Sequence, residues 1–255
     1  MLFRFSAAVV LTTLVSILVA SPSLRADEAS AASKQASLKV LFLGDNGHHQ
    51  PRVRFDQLAP ILAPRGIDLV YTDNPDDMKD LSKEQYDALV VYANIDAISP
   101  DQAKGLLSYV RSGGGFVPLH CASYCFRNND EVVALIGAQF LRHGTGVFRT
   151  ITAEPEHPIM KGLRDIESWD ETYVHSKHNE VDRTVLQFRV DNEGREPWTW
   201  VKPYGDGRVF YTAWGHDDRT WTNAGFVELV ERGIRWASKQ DLKPAPTFVT
   251  PDAFP

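Results

Sequence analysis

Three apolar runs of strand length, each closed by a glycine, an asparagine or a histidine, constrain this chain most. They are LKVLFLG from Leu38, YDALVVYAN from Tyr86 and GFVPLH from Gly115. Each is too short for a buried helix and too uniformly apolar for a strand with one wet face, so each reads as an inner strand of a parallel sheet. Between them, RFDQLAPILAPRG carries Phe55, Leu58, Ile61 and Leu62 at helical spacing, IDLVYTD reads as another strand, and PDQAKGLLSYVRSGGG reads as a helix capped by Ser99 and ended by glycines. Strand and helix alternating at short spacing predict an α/β fold with a doubly wound, mostly parallel sheet.

The second half changes character. GVFRTITAE, TVLQFRVD, PWTWVKPYG and GRVFYTAWG alternate, or carry the aromatic content of antiparallel strands, and Tyr204-Gly205-Asp206-Gly207 is a hairpin turn signal. AGFVELVERGIRWASK closes the ordered chain as an amphipathic helix. The prediction is therefore a mostly parallel sheet with extra antiparallel strands after it. The glycines at Gly113 to Gly115 precede a strand, so they are not a dinucleotide-binding fingerprint.

The N-terminus, MLFRFSAAVVLTTLVSILVA, has the layout of a secretory signal peptide and is too short and soon interrupted for a membrane span. The organisation expected is a signal peptide over 1–26, with Ala20 as the alternative cleavage point, a polar leader over 27–37, one domain over 38–240 and a proline-containing tail over 241–255. Export to the periplasm or the exterior follows, with no stable membrane anchor after cleavage. Losing Arg4 and Arg25 leaves 25 basic against 33 acidic residues, so the net charge moves from −6 to −8. No basic stripe exists for a polyanion, and nucleic acid is excluded as a partner. The only cysteines, Cys121 and Cys125, are spaced poorly for a disulfide within one helix and do not form a CxxC motif.

Ligands of open parallel sheets bind beyond the carboxyl ends of the strands. That edge should hold Asp45, Asn46, His48 and His49 after the first strand, Asn94 after the third, His120 and Cys121 after the fourth, and His216 with Asp217 after the last. His143, in FLRHGTG, would join them. Asp170, Glu171 and Tyr173, in WDETY, read either as rim residues or as an exposed acidic turn. His157 reads as the brace of a turn beside Pro158, and His175 and His178 as surface or rim. The six tryptophans read as core, with sugar-binding platforms the alternative.

In order, GDNGHHQPR, GGGFVPLHCAS, GAQFLRHGTG, EHPIMKGL, DETY and GDGRVFYTAWGHD resemble the segments of the ThuA-like (trehalose utilisation) family, across roughly Leu38 to Ser238. The resemblance implies a flavodoxin-like fold similar to class I glutamine amidotransferases, and a link to carbohydrate utilisation. In those amidotransferases the corresponding turn holds a nucleophilic cysteine. Here the resemblance puts His120 at the tip, Cys121 one residue late, and Pro118 where a glycine is usual, which argues against glutaminase chemistry.

Two readings of the crevice stand. His48, His120, His143 and His216, with a carboxylate such as Asp45 or Asp217, would hold a divalent transition metal, their nitrogens within roughly 3–4 Å of one another. Alternatively His216 and His120 act as base and acid without metal, at about 5–9 Å. The expected function is an exported enzyme of carbohydrate catabolism acting on a small glycoside or keto-sugar by hydrolysis, elimination or isomerisation. A noncatalytic sugar-binding protein, or a thiol hydrolase using Cys121 with His216, would fit the same scaffold, and the oligomeric state is left open.

Overall fold

A computed structural model describes residue 2, residues 37–192 and 194–240, and residue 242. The expected signal peptide and leader, and most of the expected tail, lie outside the described residues. Within the unit that begins at Ala36, nine strands form one mixed sheet.

The first four are β1 (Leu38–Leu43), β2 (Ile67–Thr72), β3 (Ala88–Val91) and β4 (Gly115–Pro118). They continue with β5 (Gln139–Thr152), β6 (Glu167–Ser176), β7 (Thr184–Asp191), β8 (Gly194–Tyr204) and β9 (Gly207–Thr212). The order across the sheet is β2-β1-β3-β4-β9-β8-β7-β5-β6. From β2 to β9 all neighbours run parallel, and from β9 to β6 all run antiparallel. The expected α/β architecture is therefore present, with the doubly wound order 2-1-3-4 extended by β9 and the later strands appended beyond it.

Burial explains the division. Every residue of β3 and β4 is buried, because α1 (Pro51–Leu62), α2 (Pro100–Arg111) and α5 (Ala224–Ala237) cover the parallel half. β5 has no fully buried residue, is largely exposed and alternates in burial only over residues 146–151. Ser99 caps α2 through a reciprocal box with Gln102, which supplies the unpaired amides of a helix start. The hairpin turn between β8 and β9 falls at Gly205, whose φ of 57° favours glycine.

Several elements differ from the sequence reading. β2 and β3 are linked by a single 3-10 turn, Pro75–Met78, and β4 leads into a 3-10 segment, His120–Tyr124, instead of an α-helix. The short helices α3 (Asp130–Ile136) and α4 (Asp218–Trp221) were not expected, and neither was β6, which replaces the supposed acidic turn. His143 lies within β5, which begins seven residues before the GVFRTITAE run.

Candidate functional site

The reversal of strand order falls between β1 and β3, and the site lies at the carboxyl ends of these strands and of β4 and β9. Asp45, just past β1, joins two of those ends. Its carboxylate accepts from the amide of Gly47 at 2.7 Å and from that of Asn94 at 2.5 Å. This clamp shapes the loop that carries His48 and His49 into α1, where Pro51 occupies the first turn.

His120 stands at the end of β4 with φ 45°, a left-handed conformation rare for a residue with a β-carbon. Its neighbours hold it there. Its carbonyl accepts from Tyr211 Oη at 3.0 Å and Ser123 Oγ at 3.2 Å, and its Nδ1 lies 2.8 Å from the carbonyl of Ala213. A carbonyl only accepts, so Nδ1 carries a proton and Nε2 is the ring nitrogen left to face Glu171. Tyr173 stacks on the ring at 4.3 Å. The turn after β4 thus fixes His120, itself fully buried, at its first position. Cys121 is fully buried, and burial pushes its thiol well above the usual range, so it lacks the exposed thiolate a nucleophile needs. Cys121 and Cys125 are both free thiols.

β6 brings two adjacent carboxylates to opposite duties, because successive strand side chains point to opposite faces. Asp170 is fully buried and accepts from the amides of Glu171 (2.8 Å), Gly215 (2.9 Å) and His216 (3.0 Å) and from Thr220 Oγ1 (2.7 Å). It fixes the loop after β9 that carries His216. Glu171 turns the other way, with Oε2 3.3 Å from His120 Nε2 and Oε1 3.3 Å from His216 Nδ1 and 3.4 Å from His143 Nδ1.

The result is a four-residue cluster, His49, His120, Glu171 and His216, whose donor atoms all lie within 4.8 Å of one another. That upper limit lies just beyond the 3–4 Å expected around a metal, the 3.3 Å approaches of Glu171 to His120 and His216 fall within it, and all are short of the 5–9 Å expected for metal-free acid and base. Both ring nitrogens of His49, His120 Nε2, His216 Nδ1 and Asn94 Oδ1 are buried without a hydrogen-bond partner. The short approaches to Glu171 therefore lack the alignment of hydrogen bonds. Burial first, and then the neighbouring imidazoles, depress His49 to about 2, and burial followed by His120 lowers His216. Burial works to raise the Glu171 carboxyl, but contact with His120 and the fields of His216 and His143 bring it below its usual value. A neutral imidazole at His49 and His216 and an ionised carboxylate at Glu171 are the states in which such groups ligate a cation.

A cavity of about 480 Å³ opens over the cluster, lined by His49 and Glu171 with His48, Asn94, Asp96, Tyr124, Phe140, His143 and Tyr173. Asn94, His48, His143, Glu171 and Tyr173 thus border one space. His48 packs tilted against His49, with ring centroids 4.1 Å apart, but stays outside the four-donor cluster, and so does His143. Other expected residues do not meet the cavity: His120, which is fully buried, and His216 are not among the residues that line it. Asn46 is exposed and bonds Asp73, Asp45 and Asp170 are spent on backbone amides, and Asp217 caps α4 and pairs with Arg219.

His49 was expected at the rim but not among the clustered donors, and the approach of Glu171 to His120, His143 and His216 was not expected. Alternation along β6 would have separated Glu171 from Asp170, had that strand been recognised. His175 is buried, neither surface nor rim, and His157 accepts from the Ile159 amide as the brace of its turn. Trp198, Trp200, Trp214 and Trp221 are core, so Tyr124, Phe140 and Tyr173 supply the aromatic wall.

A family model described as ThuA, trehalose utilisation, matches residues 39–237. Among solved structures, a putative ThuA-like protein from Parabacteroides merdae superposes with a TM-score of 0.72 at 21% identity, covering 83% of this chain and 94% of that one. A second, from Bacteroides uniformis, gives 0.67 at 20% identity over 83% and 96%. A GMP synthase-like protein from Thermoplasma acidophilum gives 0.51 at 14% identity over 80% and 94%, consistent with an amidotransferase-like fold. No curated protein matches the sequence.

Proposed function

This chain belongs to the ThuA family, and from its carbohydrate-related role we propose that the chain is a metal-dependent enzyme acting on a small sugar. The observation that carries the proposal is the cluster of unpartnered donors. Burying several polar atoms without partners costs roughly 1–3 kcal/mol each, and a divalent cation bound by His49, His120, Glu171 and His216 would satisfy three of the histidines at once. When bound, the ion would supply Lewis acidity to a sugar oxygen or lower the pKa of a bound water.

The protein's own groups have distinct parts. His120 and His216 stand as ligands instead of as a free acid and base. His143 lies at the exposed side of Glu171, where it is placed to exchange protons with a substrate in the cavity. Tyr124, Phe140 and Tyr173 offer ring faces to the apolar faces of a sugar, while Asn94 and Asp96 offer polar groups to its hydroxyls. Hydrolysis, elimination or isomerisation of a glycoside or keto-sugar all use such a site. We also propose export, from the signal-like residues 1–26.

The test is metal content of protein purified without chelator or immobilised metal, combined with a thermal-shift screen of glycosides and keto-sugars. About one equivalent of metal is expected, lost in His120→Ala and Glu171→Gln. Sugar turnover by protein that binds no metal would replace this reading with the metal-free acid and base.

A further inference from the structure

Four protein donors beside a cavity, two of which, His49 and Glu171, line it, is an unusual count for a catalytic ion. Zinc is nearly always four-coordinate, and its catalytic sites use three protein ligands so that the fourth position stays open. A tetrahedral zinc bound by His49, His120, Glu171 and His216 would be closed, which suits a structural site. This cluster is not placed as a structural site. It sits at the mouth of the sheet, His49 and Glu171 line the cavity directly, and the side chain of His216 is 28% exposed.

The scaffold also keeps the donors apart. Asp170 holds the His216 loop, Ala213 holds the His120 ring through Nδ1, and Asp45 holds the loop of His49. The four ligands therefore come from fixed backbone positions on separate elements. Three imidazoles with one carboxylate, a mixed set of intermediate softness, suit six-coordinate manganese, iron, cobalt or nickel.

We infer that the site takes a six-coordinate divalent ion, and that its two positions not filled by protein accept two oxygens on neighbouring atoms of one substrate. This rests on the metal-dependent reading above and deepens it. A sugar offers such a pair as a vicinal diol or as an α-hydroxy-ketone. Between the two free positions and the aromatic wall of Tyr124, Phe140 and Tyr173, the substrate would be gripped at one edge by the ion and along its face by the rings.

Cobalt(II) reports the coordination number without any turnover. Metal-free protein is titrated with Co2+, Mn2+, Ni2+ and Zn2+ by calorimetry, and the visible spectrum of the cobalt form is recorded. The expected result is one ion per chain and the weak absorption of six-coordinate cobalt. Acetohydroxamate, with two oxygen donors, should then perturb the spectrum at concentrations roughly tenfold or more below those needed for acetamide, because the second donor binds intramolecularly. Hydroxyacetone set against 1,2-propanediol distinguishes the ketone form from the diol, with 1-propanol as the one-oxygen control. Glu171→Gln, with unchanged near-ultraviolet circular dichroism, should weaken cobalt uptake and so assign the signal to this cluster. An intense tetrahedral spectrum indifferent to acetohydroxamate overturns the inference and leaves a metal protein standing. Failure to bind any of the four ions overturns both.

Discussion

His120 carries a conformational cost, of order 1–3 kcal/mol for a non-glycine residue held at positive φ, which the bonds from Tyr211 and Ser123 to its carbonyl help to sustain. The strain falls on the histidine and not on the cysteine beside it. Cys121→Ala should therefore leave metal content at one equivalent and sugar-directed activity within a few-fold of wild type. His120→Ala should lose most of both. Removing a ligand or an essential acid or base costs about 10²–10⁴ in rate. A dead cysteine variant beside a healthy histidine variant would restore thiol chemistry.

His175 allows a separate test at the same scale, outside the ligand cluster. It is fully buried between Glu196, 2.8 Å from Nδ1, and Tyr211, 3.0 Å from Nε2. Burial lowers its pKa below the ordinary 6.5, against an opposing pull from Glu196. The folded chain thus binds its proton less readily than the unfolded chain. The stabilisation is complete above about pH 6.5 and is lost as the pH falls toward the folded value, with a slope of at most about 1.4 kcal/mol per pH unit for one proton. Urea unfolding of metal-free protein between pH 7.5 and 5 should show this decline, and His175→Gln should flatten it by a measurable part. Equal slopes for the two proteins would assign the effect to other groups.

At the scale of elements, β6 is the strand on which the site depends, and it was hidden in the sequence. Its ESWDETYVHS lacks the apolar alternation that marks a half-buried strand, because both of its faces serve polar partners. Glu171 faces the cluster, while Asp170 faces the loop of Gly215 and His216. Its antiparallel ladder with β5 and these tertiary hydrogen bonds hold it. Asp170→Asn places an amide where four donors converge, so it should destabilise the protein by roughly 2–3 kcal/mol, the cost of spoiled hydrogen bonds to a buried charge. It should also weaken metal binding by about 10–100-fold, as loss of an outer partner does. Calorimetry and urea unfolding measure the two effects, and unchanged metal affinity would show that Asp170 serves the fold alone.

The parallel half was legible for the opposite reason. Uniform apolar runs such as ALVV and GFVP have one physical explanation, burial on both faces, and the strand-end rule then located Asn94, His120 and His216. That rule names an edge but not a direction. It could not tell which of the adjacent His48 and His49 turns inward, nor that Asp45 would be consumed by the amides of Gly47 and Asn94. Those choices depend on loop geometry, which has no periodicity to read.

For the molecule as a whole, the cluster joins parts of the sheet that come from distant stretches of sequence. His49 follows β1, His120 follows β4, Glu171 lies on edge strand β6 and His216 follows β9. An ion there ties the parallel half to the antiparallel extension and exists only in the folded chain, so its binding free energy adds to folding stability. At a free metal concentration about 1,000 times Kd the gain is about 4.1 kcal/mol. For a domain of this size each kcal/mol shifts Tm by about 2–4 °C, so metal should raise Tm by roughly 8–16 °C. Scanning calorimetry of the metal-free and metal-loaded protein should show that shift, with chelator reversing it and Glu171→Gln reducing it. A Tm indifferent to metal in wild-type protein that nonetheless binds one equivalent would place the ion at some other site, on a surface that the unfolded chain offers equally well.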